Sequence, residues 1–194
     1  MGAFEQFVAV AMATEGLVVS PAIKFPVSHR TKKQAYEETQ THVYEVDLVG
    51  ARTDRLVLAT VKSFFGSKGV TAAGVCGSDT KNAGAYRLLN DNVIRDGVIH
   101  FATDTYGYEV EQVFLRLYVG KFSGKDEDLV RRWCGDQHLP SGPIEVFNVA
   151  QVVDKVKHQA GKTEYVDNAS IVALKVLEAA GELKLPKSGR KIGS

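Results

Sequence analysis

The chain has 194 residues, enough for one domain with a real hydrophobic core and at most a small appendage. Hydrophobic residues make up 44% and charged residues 24%, the balance of a folded globular protein rather than a disordered one. Lys and Arg total 24 against 23 Asp and Glu, so the net charge of +1 excludes bulk attraction to nucleic acid or lipid and leaves that work to local basic patches.

In "MGAFEQFVAVAMATEG" the apolar residues Phe4, Phe7, Val8, Ala11 and Met12 have the spacing of a one-sided amphipathic helix, and Gly16 is a suitable stop. Glu5 and Glu15, with no basic front, set this segment apart from a secretory leader. No uninterrupted apolar run is long enough to cross a bilayer, so a soluble, cytoplasmic protein is expected. "LVVSPAIKFPV" is extended, and Pro21 and Pro26 push it toward a sheet edge. The polar "SHRTKKQAYEETQT" supplies a long loop or hairpin arm. Within it His29, Arg30, Lys32 and Lys33 can grip phosphates while Tyr36 stacks on a base, or the segment is a solvated loop.

"HVYEVDLVGA" and "RLVLATVKSFF" are two strands dense in aliphatic residues, joined by the compact turn "ARTD". The glycine-rich stretch from Gly66 to Gly84 reads as loop; its Lys68 can approach a backbone phosphate or stay solvated. In "DNVIRDGVIHFATDTYG" apolar pairs recur every four residues, a helical stripe that Asp91 can cap and Gly107 can end. "EQVFLRLYVGKF" is a strong strand, followed by a short helix near "DEDLVRRWC" and a loop with Pro140, Gly142 and Pro143. Two helices follow, about residues 148–160 and 168–181, each opening on Asn. The segment between them is too long for a helix-turn-helix reader, so they are expected to pack or to form a dimer. The tail carries Lys184, Lys187, Arg190 and Lys191, either a solvated end or a phosphate-gripping arm.

Several chemistries find no support. Neither glycine-rich nucleotide motif occurs. Cys76 and Cys134 lack the spacing of a zinc site or disulfide framework, and Cys134 with His138 has no second ligand pair. Ser63 and Ser67 have no histidine at a recognisable spacing.

The second and third strands are different. Side chains repeat every two residues along a strand, so Glu45 and Asp47 share a face of one, and Thr60 and Lys62 share a face of the other. If the strands are neighbours, Asp47, Thr60 and Lys62 converge near one end of the sheet. There an aspartate can bind Mg²⁺, a hard cation that prefers oxygen, and a lysine can orient water or stabilise charge on a phosphate. The plainer alternative is a strand-edge ion pair.

These residues carry a resemblance. The order helix, three strands, helix, strand, with "EVDLVGA" and "LVLATVK", resembles the PD-(D/E)XK nuclease superfamily, whose restriction-endonuclease-like fold is shared with Holliday-junction resolvases; it covers about the first 120 residues. The resemblance implies an α/β fold with an α-β-β-β-α-β core, a mixed sheet flanked by helices. The expected layout is a nuclease core over residues 1–122, a helical C-terminal extension over 123–184 packed on it, and a basic flexible tail over 185–194. By the resemblance, Asp47 is the metal-binding aspartate, Lys62 the catalytic lysine, and Val61 a further ligand through its carbonyl. Glu5 is similar to the glutamate that leans from the family's first helix toward the metal. The implied activity is Mg²⁺- or Mn²⁺-dependent hydrolysis of DNA, double-stranded or branched, and enzymes of this size in the family commonly work as homodimers.

Thr60 departs from the pattern, standing where the family has Glu or Asp. Glu5, Glu45 and Glu15 are the acids available to replace it. Glu45 lies about 7 Å along the strand from Asp47, which suits an adjacent position, and Glu5 is the better substitute. The same departure is also what a catalytically degenerate, DNA- or protein-binding copy of the fold would show.

Overall fold

The computed structural model describes residues 1–30, 39–163 and 166–186. Five strands form one mixed sheet: β1 (Val18–Arg30), β2 (Thr39–Arg52), β3 (Arg55–Lys62), β4 (Val113–Val119) and β5 (Glu145–Asn148), in that order across the sheet. β1, β2 and β3 are antiparallel neighbours; β4 and β5 continue parallel to β3. Among the described residues seven α-helices accompany them: α1 (Ala3–Ala13), α2 (Ala72–Val75), α3 (Arg87–Asn90), α4 (Asn92–Tyr106), α5 (Asp126–Gly135), α6 (Val149–Ala160) and α7 (Ala169–Ala179).

β3 is buried along six consecutive residues, which is why "LVLATV" is a continuous apolar run rather than an alternating one. Its two faces serve two cores. Leu56 and Leu58 pack with Leu115, Leu117, Val98 and Val130 under α2 to α5. Val57, Ala59 and Val61 pack with Val8, Met12, Tyr118, Val156 and Ile171 under α1, α6 and α7. The segments after residue 122 thus add to the core and, through β5, to the sheet itself.

Most local expectations hold. Gly16 turns the chain after α1 with φ +79°. Asp91 accepts the Val93 and Ile94 N–H groups to cap α4, and Gly107 ends it in the left-handed region. Asn148 and Asn168 cap α6 and α7 with their side chains. Pro21 and Pro26 lie on the edge strand β1, and the polar arm extends the β1–β2 hairpin as far as Arg30 and Thr39. Two features were not expected. The glycine-rich stretch contains α2, capped by the Thr71 hydroxyl, and a 3₁₀ turn over Ala83–Tyr86. β5 has four half-buried residues, too few to show a period. Among the described residues no helix is long and apolar enough to cross a membrane.

Candidate functional site

The β2–β3 ladder runs from Arg52↔Arg55 to Leu48↔Ala59 and stops there. The β1–β2 ladder has a gap at the same place: Pro21 pairs with Leu48 and Ile23 with Val46, while Ala22 between them has φ +53°. A left-handed alanine costs about 1–2 kcal/mol, so neighbouring contacts impose it. The strands change phase across this point. Leu48 packs beneath α1, whereas Val46 joins the core on the other face, although a regular strand would put both on one side. Asp47 sits at the break, where β2 and β3 part.

Its carboxylate occupies the fork. Asp47 Oδ2 accepts the Val61 N–H at 2.7 Å and the Lys62 ammonium at 3.1 Å. The side chains are 27% and 19% exposed, so the pair is half-buried where the strands part rather than immersed in bulk water. In an extended strand the N–H and C=O of one residue point to the same edge, so the bond from Val61 N–H also turns the Val61 carbonyl toward the fork. The Lys62 carbonyl points the opposite way and accepts the Gly120 N–H at 2.8 Å beyond the end of β4. Thr60 is 3% exposed and pairs in register with Leu117, two residues before Lys62 and on the same face of β3.

The structure therefore brings Asp47, Val61 and Lys62 together, with Thr60 beside them. Glu5 is engaged elsewhere: it is the third residue of α1 and its side chain reaches back to accept the Gly2 N–H at 2.7 Å at the start of the helix. α1 covers the face of β3 that carries Val57, Ala59 and Val61, and alternation sends Thr60 and Lys62 to the other. Glu45 is exposed, with Lys24 as its register partner on β1. Lys68 is exposed on the loop after β3. Arg30 ends β1 opposite Thr39; Lys32, Lys33 and Tyr36, like Lys187, Arg190 and Lys191 of the tail, lie outside the described residues. Among the described residues no three His, Cys, Asp or Glu side chains gather as a metal cluster, and Cys134 with His138 is no exception. The donors at the fork are one carboxylate and one carbonyl. Both are hard oxygens, and Mg²⁺ and Mn²⁺ are held in such sites by one or two carboxylates with water and phosphate completing the shell.

A second polar cluster was not anticipated. Glu15, expected among the acids available to replace the one missing at Thr60, is taken up on the α1 side of the sheet. Arg116, 3% exposed in the middle of β4, donates to Glu15 at 2.8 Å, to Glu145 at 2.6 Å and to the Tyr118 hydroxyl at 3.1 Å. Lys155 of α6 also pairs with Glu15, and both cations lie over the Phe147 ring. Burial pushes the Glu15 carboxyl up, but Lys155 and Arg116 outweigh it and hold the group below its ordinary value. Burial, opposed only in part by Arg116, pushes the Tyr118 hydroxyl up to about 12. The signal for this cluster was the lone arginine in "VFLRLYV", a charge inside an apolar strand that demands a buried partner. It ties α1, β4, β5 and α6 together and shares no residue with the fork.

Against protein-family models, curated proteins and solved structures alike, the chain has no match.

Proposed function

We propose that the protein is a divalent-metal-dependent DNA phosphodiesterase built on a restriction-endonuclease-like core. The observation that carries this reading is the meeting of the Asp47 carboxylate, the Val61 backbone and the Lys62 ammonium where β2 and β3 part. Asp47 and the Val61 carbonyl would hold Mg²⁺ or Mn²⁺, whose contribution is Lewis-acid polarisation of a phosphate and acidification of bound water. Lys62, already confined by Asp47, presents an ammonium at the fork, suited to orienting water or stabilising the charge that grows on phosphorus. The parallel strands β3 and β4 end at this rim, and in open α/β sheets ligands gather beyond such strand ends.

A second reading has its own support. Thr60 offers no anionic ligand, and Lys62 is paired with the one carboxylate present, as in a copy of the fold that binds DNA without cutting it. Plasmid, linear and branched DNA incubated with the protein and Mg²⁺ or Mn²⁺ separate the two. Hydrolysis is expected to fall about a hundredfold or more in Asp47→Asn and in Lys62→Ala. Salt-sensitive binding without metal and without cleavage would leave the binding module, and Thr60→Glu should then raise Mn²⁺ affinity.

A further inference from the structure

Of the nine phenylalanines, Phe65 alone is exposed, at 57%. It stands three residues beyond Lys62, on the loop that leaves the C-terminal end of β3. Its ring is seated rather than loose. The Phe4 ring meets it edge-on at 5.4 Å and 81°. Gly120 lies against it: a Cβ there would clash with the Ser63 carbonyl and meet the Phe65 ring at 2.8 Å, so glycine lets the chain after β4 pack close to both. The turn that presents it is strained, because Phe64 has φ +45°, a conformation that bulky side chains rarely adopt. That turn splits the two neighbours, sending Phe64 to pack against the core and leaving Phe65 out.

The loop is fastened at both ends. Ser67 N–H donates to Phe64, Val70 N–H to Lys121 and Ser123 N–H to Val70, while the Lys121 ammonium holds the Ser67 carbonyl at 2.7 Å. An aromatic ring held by its neighbours yet more than half exposed, on a turn that carries strain, is suited to stacking on a planar ligand. The residues around it are Ser63, Gly66, Ser67 and Lys68, all exposed, small, polar or basic. That composition lacks the contiguous apolar area of a protein-docking patch and suits a nucleotide, whose base stacks while its phosphates meet Lys68 and Lys121.

We infer that Phe65 is a base-stacking platform on the loop that leaves β3 after Lys62, and that the chain prefers DNA with unpaired nucleotides, single-stranded or frayed, over continuous duplex. In a duplex the base faces are covered by their neighbours, so only an unstacked nucleotide can use the ring. The inference rests on the proposed DNA-directed function and names its substrate class.

The test measures binding in EDTA, so that no cleavage contributes. The probes are a fluorescein-labelled single strand, a fork with one single-stranded arm, and a blunt duplex of equal length, each also prepared with 2-aminopurine. The single strand and fork are expected to bind more tightly than the duplex and to change the 2-aminopurine emission. Phe65→Ala should weaken single-strand binding about 5- to 100-fold and remove the emission change, with duplex binding within about twofold. Phe65→Trp should restore both. Equal loss on duplex and single strand, no loss, failure of tryptophan to restore, or no binding of any DNA at low salt would overturn the platform. Cleavage assays in Mg²⁺ keep the two proposals apart. Phe65-dependent binding without hydrolysis retires the phosphodiesterase alone, and hydrolysis with duplex preferred and Phe65→Ala unaffected retires the platform alone.

Discussion

Asp47 and Glu15 are both acids from the N-terminal quarter of the chain, and their surroundings give them opposite work. Asp47 stays half-buried, 27% exposed, and gives one oxygen to a backbone N–H and an ammonium. Glu15 is spent on structure. Its carboxyl is held below the ordinary 4.5 because Lys155 and Arg116 outweigh the effect of burial. A depressed native pKa means stability that is fully present above the unfolded value and is lost as pH falls through the native one. Urea midpoints of the wild type and Glu15→Gln should therefore differ at neutral pH, begin to draw together as pH falls below about 4.5 and converge once the lower native pKa is passed; a gap that persists at strongly acid pH would show that the ion pairs are not its source. The Asp47–Lys62 pairing could be read from two strands and a short turn. Glu15 could not, since its partners lie 101 and 140 positions away.

At the scale of elements, α4 shows how a helix is seated on the long hairpin. Its cap, stripe and stop are written locally in Asp91, the four-residue spacing and Gly107. What places it on β1 is Gly97, where a Cβ would come within 2.5 Å of Val27 Cγ1. Val27 is branched at Cβ and fully buried, so it cannot swing aside. Gly97→Ala should thus destabilise the protein by about 1–3 kcal/mol, although alanine favours a helix interior by about 1 kcal/mol. In Val27→Ala the space opens. The double variant should cost less than the sum of the singles by about 1 kcal/mol or more in urea unfolding, and strict additivity would refute the contact. The short elements carry weaker signals. α2, α3 and β5 have four residues each, and their place depends on the layers above and below them.

For the whole molecule, the sheet is the common wall of two cores, and β3 and β4 contribute to both. Losing either core uncovers strands that the other needs, so the two should unfold together. The single tryptophan is a convenient reporter, because Trp133 packs against the core on the α4 side only. Its fluorescence transition in urea should coincide with the loss of far-UV circular dichroism, to which α1, α6 and α7 contribute from the other side. Two separate midpoints would mean that the helices after residue 148 form an independent unit.

The order of the longer helices and of β1 to β4, their caps and stops, the buried character of β3 and the approach of Asp47 to Lys62 were determined by the sequence itself. Each depends on a repeat of two or of about four residues, or on a cap a few positions away, and such signals survive without knowledge of the fold. The tertiary structure alone decided the phase change at Ala22 and Asp47, the buried partners of Glu15 and the seat of Phe65 on Gly120. Those arise from contacts between residues remote along the chain, where packing and unpaired charge outweigh local preference.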